Sequence, residues 1–285
     1  MQIYYSGDHA VMFENPSYNP ASTGGESSIP YFNSWEKWHL IPTSRPIIQP
    51  PPLKTNTIEV PGANSVIDLT EVPRGFPTFG NRTGSLEFYV DNSDPTYDWT
   101  SVYNQIKWFF HGMKLKMYLL DDTTSYYYGR WTVNQWKTNK EISAITLDYD
   151  LDPFMYSMFS TCEPWLWNPF DFQHGTIPFA NQEDFAKITI PSGGIVLTYA
   201  YELVGAMPVV PTFEVLSGGP VDIQIFNSCN SKWTESRTVS YGEPLNDPSL
   251  YLSTPRPGDT VQVHVGFGSG ITSATINIDF RPGRL

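Results

Sequence analysis

Cysteine is nearly absent: Cys162 and Cys229 are the only two in 285 residues. Two cannot staple a disulfide scaffold, so both are expected to be free thiols in a protein made in a reducing cytoplasm. Charge is also scarce, at 16% of residues against the usual quarter. What charge there is leans acidic, 17 Lys and Arg against 29 Asp and Glu, for a net of −12. No basic run occurs, so nucleic acid and anionic membranes make poor partners. No stretch approaches the ~20 apolar residues of a membrane span. The opening MQIYYSGDHAV lacks the basic-then-apolar order of a signal peptide, so none is expected.

The chemistry-bearing motifs are missing as well. There is no G-x-S-x-G elbow, no Walker loop and no H-E-x-x-H. Asp148, Asp150 and Asp152 alternate like the start of a calcium loop, but Pro153 and Phe159 stand where that loop needs Gly and Glu. On a strand these three carboxylates share one solvated face. Gly266-Phe-Gly268-Ser-Gly270 has strand signals on both sides and no following helix, so it is expected to be a hairpin turn rather than a dinucleotide loop. The histidines 9, 39, 111, 174 and 264 form no pair at ligand spacing. No catalytic, cofactor-binding or metal-ligating residues are expected, no cofactor is implied, and the chain is not read as an enzyme.

What the sequence has in quantity is proline, 25 residues, and aromatics, 15%. Few charges and many aromatics point to surface that becomes buried against partners. Proline is densest within residues 35–70, at 42, 46, 50, 51, 52 and 61. These prolines remove donors and fix φ, so no helix or central strand can run through 42–52. Yet Trp35, Trp38, Leu40, Ile41, Ile47 and Ile48 make the stretch too apolar for a solvated linker. An extended arm over 35–60 is expected, lying against its own domain or a neighbour.

The rest reads as mainly β, in two β-sandwich domains, 1–155 and 156–285. In the first, short strands precede one amphipathic helix over 98–111, expected to be capped by Asp98 and Gly112. Its apolar face carries Val102, Tyr103, Ile106, Phe109 and Phe110; Trp108 points the other way, a candidate partner contact. A hairpin follows, 113–120 and 126–135 around a turn at Asp121–Ser125, then a strand over 142–150. Residues 156–180, with Trp165 and Trp167, read as a junction. Beyond them some eight short strands separated by Gly and Pro turns indicate a second sandwich or jelly roll. Trp165, Trp167 and Trp233 could alternatively stack on sugar rings.

The run Trp35-x-x-Trp-His-Leu-Ile-Pro-Thr-Ser-Arg-Pro46 resembles the N-terminal signature of phage distal tail proteins, the ring-forming baseplate hub proteins at the tip of long non-contractile tails. Pro51-Pro52, Val60-Pro-Gly62, Ile67-Asp-Leu-Thr70, Phe79-Gly-Asn-Arg82, His111-Gly-Met-Lys114 and Tyr128-Gly-Arg-Trp131 continue it in order. Trp165-x-Trp-Asn-Pro-Phe170 and the closing Arg281-Pro-Gly-Arg-Leu285 complete it, while residues 1–32 match no part of the pattern. The resemblance implies a structural virion protein at the tail tip, assembled in the host cytoplasm as a hexameric ring. Its partners would be the tail tube protein, a tail-associated fibre or lysin, and receptor-binding proteins. It also implies a galectin-like second domain, without implying sugar binding. The competing reading is a carbohydrate-binding module protein that attaches to host surface glycans.

Overall fold

The computed structural model describes residues 9–19, 21–22, 24–26, 29–62, 64–72, 75–90, 99–138, 143–163, 185–267 and 273–285. The elements, in chain order, open with β1 (Val11–Glu14), β2 (Tyr31–Asn33), α1 (Ser34–Trp38), β3 (Leu40–Pro42), β4 (Thr57–Glu59) and β5 (Val66–Asp68). They continue with β6 (Arg82–Val90), α2 (Trp99–Phe110), β7 (Lys114–Leu119), β8 (Asp122–Thr138), β9 (Ser143–Leu151) and β10 (Met155–Ser157). Then come β11 (Ile188–Ile190), β12 (Ile195–Ala200), α3 (Tyr201–Val204), β13 (Thr212–Gly218) and β14 (Val221–Asn227). Last are β15 (Lys232–Trp233), β16 (Arg237–Val239), β17 (Thr260–Phe267), β18 (Ala274–Asp279) and β19 (Gly283–Arg284). The protein is mainly β, and every ladder between the paired strands described below is antiparallel.

The chain divides into two compact units, Met1–Pro52 with Phe79–Met155, and Leu53–Thr78 with Tyr156–Leu285. Residues 53–78, expected within the first domain, thus group with the second unit. Arg256 is one reason: its guanidinium donates to a Glu71 carboxylate oxygen (2.8 Å) and to the Gly75 carbonyl (2.9 Å), and Phe76 beside them is buried.

The first unit is one sheet in the order β2-β1-β7-β8-β9-β6-β3. Helix α1 touches β1 and β2 at one end of this path and β3 at the other, so the sheet curls upon itself into a sandwich. Inside lie Phe13, Trp38, Phe88, Ile106, Phe110 and Trp131, all buried. Phe13 meets Phe110 and Trp131 edge to face at 4.6 and 5.1 Å, the arrangement that aromatic quadrupoles prefer. Helix α2 buries Val102, Ile106 and Phe110, one residue per turn. It ends where expected: Gly112 takes φ +82° and donates its N–H to the Trp131 carbonyl at 2.8 Å. The proposed Asp98 cap lies outside the described residues.

Two expectations about this unit fail. Trp35 and Trp38 do not open an extended arm; they belong to α1, which the proline count concealed. The Asn33 side chain caps α1 by accepting from the Trp35 and Glu36 N–H groups, and His39 stops it in the left-handed region. The turn between β7 and β8 is also shorter than expected, because Leu119 already pairs with Asp122. Thr123, Thr124 and Ser125 extend the strand instead of turning, which the two β-branched threonines favour.

The second unit is a sandwich. Sheet β11-β18-β13 faces sheet β12-β17-β14, with β15 and β16 on β14. Ile190, Phe213, Val215, Ile223, Ile225, Val263, Ile276 and Ile278 fill the space between. The expected strand over 250–253 is absent; Leu252 makes only a single bridge to Val209. The closing Arg281–Leu285 run is structural: Gly205 bridges Gly283, whose carbonyl accepts from Ala206 N–H at 2.8 Å. Gly205 has φ +87°, and a Cβ there would stand 2.3 Å from the Gly283 oxygen. Gly205→Ala is therefore expected to cost about 3 kcal/mol and to lower the melting temperature by about 5–10 °C, measured by calorimetry.

Candidate assembly surface

Among the described residues the titratable groups named from the sequence lie apart from one another. Asp148 and Asp150 lie on outward positions of β9, and Asp150 accepts from the Asn81 amide at 2.8 Å. Among the described residues no three His, Cys, Asp or Glu side chains converge as metal ligands would. His264 sits in β17 with its ring 4.6 Å from that of Trp233. Burial and the nearby Asp279 carboxylate push the Cys162 thiol up to about 11, and burial raises Cys229, so both stay protonated and poorly nucleophilic at neutral pH. Trp165, Trp167, His174 and Gly268–Gly270 fall outside the described residues.

What stands out is apolar surface left exposed among the described residues. The proline-rich stretch first runs along its own unit. Thr43 N–H donates to the Glu87 carbonyl at 3.0 Å, Ile48 is buried, and the Arg82 guanidinium donates to the carbonyls of Gln49 (3.0 Å) and Pro153 (2.8 Å). Arg82 is itself buried, so residues 48–49 are pinned by a desolvated cation. Ile47 on the same segment remains 65% exposed.

The chain then forms the β4–β5 ribbon, a two-stranded sheet in which all six residues are exposed. Directly paired residues share a face, so Ile58 and Ile67 stand side by side, 49% and 50% exposed, with Val60 beyond them. The other face carries Thr57, Glu59, Val66 and Asp68. The ribbon's foot is held by Leu69 N–H to the Asn56 carbonyl (2.8 Å), Asn56 N–H to Thr70 Oγ1 (3.1 Å), and Thr70 N–H to Asp68 Oδ1 (2.8 Å). The Thr70 side-chain and backbone hydrogen bonds hold the Asp68 carboxyl below the usual carboxylate range. An isolated two-stranded ribbon is marginal in water, and one with an uncovered aliphatic face is unusual in a lone monomer.

The second bare surface is on α2. Trp108 is 85% exposed, as its position on the polar side of the helix predicts. It borders a groove of about 650 Å³ in the first unit, floored by Phe32, Trp38, Phe109 and Met113 and edged by Gln105 and Lys37. Lys37 pairs with Glu26 and lies 4.8 Å over the Phe32 ring. Trp108→Ala should leave folding stability unchanged within about 0.5 kcal/mol by urea titration, since almost none of the indole is covered. A larger loss would mean that the ring packs on its own chain.

Deleting residues 35–56 would remove Trp38 and Leu40 from the core, so only point changes on the exposed faces report on assembly.

No family model matches the chain, and no curated protein sequence matches it. Among solved structures the chain is similar to the Dit protein of phage SPP1, presented as a paradigm of the hub adsorption apparatus in phages that infect Gram-positive bacteria. The TM-score is 0.53 at 9% identity, covering 95% of this chain and 99% of that one. At that identity the match gives the motif resemblance no support at the level of sequence. What the two proteins share is a fold, along nearly the whole of both chains.

Proposed function

We propose that this chain is a structural protein of a phage virion, located at the tail tip and assembling through its own exposed apolar faces into a hexameric ring. The ring joins the tail tube protein to a tail-associated fibre or lysin and to receptor-binding proteins. The observation that carries this reading is the β4–β5 ribbon: ordered backbone pairing beneath an aliphatic face that stays half exposed among the described residues. Such a surface is stabilised when a partner covers it. The fold shared with the SPP1 hub protein supports the tail as its setting. The second unit, a galectin-like sandwich in this reading, serves as the attachment platform, and no reaction is assigned to the chain. The net charge of −12 suits a ring around a channel that carries DNA, because it repels phosphate.

The test is the solution mass of the full chain at tens of micromolar, by light scattering, with negative-stain images of the same sample. Rings of six establish the reading, and a chain that stays at 32.3 kDa counts against it.

One observation favours a second reading, attachment to glycans. Trp233 is half exposed at the edge of β14, against Phe226 and His264, with Gln262 hydrogen-bonding distance from the histidine. An exposed indole among polar side chains is what a sugar ring stacks upon. A monomer that also binds a glycan array, and loses that binding in Trp233→Ala, would establish this reading instead.

A further inference from the structure

The second unit holds a cavity of about 580 Å³ that the assembly reading leaves unused. Phe76, Pro208, Pro248 and Tyr251 supply its apolar wall, and Asn230 and Lys232 stand on its polar side. We propose that this cavity binds a sugar-sized organic anion, a saccharide ring carrying a carboxylate or a phosphate. The inference stands apart from the assembly reading. It is also distinct from the Trp233 surface, because Trp233 follows Lys232 in β15 and successive strand residues point to opposite sides.

Charge selects an anion. The chain has 29 acidic residues against 17 basic ones, yet no Asp or Glu lines this cavity among the described residues. Lys232 does line it, and its ammonium has no ion-pair partner among the described residues. The carboxylates directly beside lining residues in the chain are already engaged. Glu71 accepts from the Arg256 guanidinium at 2.8 Å, and Asp247 from that of Arg237 at 2.7 Å. Glu235, three residues beyond Lys232, also pairs with Arg237.

Hydrogen-bond direction makes the same selection. Asn230 Oδ1 accepts from the Lys232 backbone N–H at 3.1 Å, and the Asn230 amide donates to the Tyr251 hydroxyl at 3.1 Å. The Tyr251 hydrogen and the second Asn230 amide hydrogen are therefore left to donate, beside the Lys232 ammonium. Such a set of donors suits the lone pairs of a carboxylate or phosphate. The backbone holds the set in place: Ser231, between Asn230 and Lys232, sits at φ +52° in a turn closed by its N–H to the Ser228 carbonyl at 3.3 Å.

The wall selects the body of the ligand. Prolines and aromatic rings present flat apolar surface, against which the C–H face of a sugar ring packs while its hydroxyls turn to the polar side. The volume falls inside the range of small-molecule sites, about 300–1,000 Å³.

The test is a ligand-observed NMR titration of the full chain with galacturonate, glucose 6-phosphate, neutral galactose and tetragalacturonate. The anions should bind and galactose should not. Lys232→Gln, at an exposed position, should weaken the anions about tenfold or more through loss of one charge-assisted hydrogen bond. Val72 lines the cavity and is 71% exposed, so Val72→Glu places a repelling carboxylate there at little cost to folding and should weaken them as well. Trp233→Ala should leave the anions bound, and circular dichroism checks that each variant folds. Tetragalacturonate binding more tightly than galacturonate assigns a polymeric glycan, and equal affinity a single sugar acid; either supports the proposal.

Galactose binding as tightly as galacturonate overturns it. So does anion binding that survives both Lys232→Gln and Val72→Glu, or that is lost in Trp233→Ala. If no sugar acid binds but an acetylated dipeptide with a free carboxylate does, the occupant is a protein terminus and the saccharide is wrong. None of these results depends on whether the chain forms rings.

Discussion

Replacing Trp38 with alanine is expected to unfold the first unit at a markedly lower urea concentration, with the second unit's transition unmoved. Trp38 is 1% exposed although it lies in a five-residue helix between a strand and a proline-rich segment. Its ring sits 4.9 Å from Phe109, 5.2 Å from Phe110 and 6.0 Å from Phe32, and α1 joins the two ends of the curled sheet. Removing it deletes a large buried side chain at the closure of the sandwich. The cost is about 3–5 kcal/mol, a large part of the 5–15 kcal/mol by which a domain is typically stable. With a urea slope of about 1–3 kcal/mol/M, the midpoint falls by 1 M or more. The second unit keeps its own core, so its transition serves as the internal reference. A variant whose two transitions both stay in place would show that Trp38 does not close the first sandwich.

The same tryptophan shows where the sequence is hard to read. Asn33-x-x-Glu36 is a legible helix start, but five residues are too few for a 3.6-residue period to emerge. Six prolines downstream pull any reading of 35–60 toward one extended arm. The structure cuts that stretch into three: a buried helix, a pinned edge segment ending near Pro52, and an exposed ribbon grouped with the other unit. Which core a segment joins is decided by contacts such as Arg256 with Glu71, nearly two hundred residues apart in the chain, and no local pattern encodes them.

Where period and burial coincide, the sequence is transparent. Helix α2 is observed within a residue of its expected ends, because Val102, Ile106 and Phe110 recur each turn and Gly112 must take a positive φ. β17 runs from Thr260 to Phe267 as its alternation of Val261, Val263 and Val265 requires. Trp108 is legible for the complementary reason, an aromatic out of phase with its helix. The groove beside it is not legible, since its floor combines Phe32, Trp38 and Phe109 from two helices and a strand.

The double substitution Ile58→Thr with Ile67→Thr is expected to abolish assembly while leaving both units folded. Threonine keeps the branched Cβ that suits a strand, and a directly opposed Thr–Thr pair is favourable in antiparallel sheets, so the ribbon itself survives. Neither isoleucine is counted in the core, and melting temperature should therefore be unchanged within the range of ordinary surface substitutions. In a contact that covers this face, however, two hydroxyls would be buried against apolar side chains without partners. Each costs about 1–3 kcal/mol, and the lost aliphatic burial adds a similar amount. A combined penalty of about 5 kcal/mol weakens each subunit contact several thousandfold. A ring needs every such contact at once, so light scattering should read monomer at concentrations where the parent is fully assembled. Rings that persist with both threonines in place would show that the ribbon face lies outside the interface, and would turn the search to Ile47 and the segment that Arg82 pins.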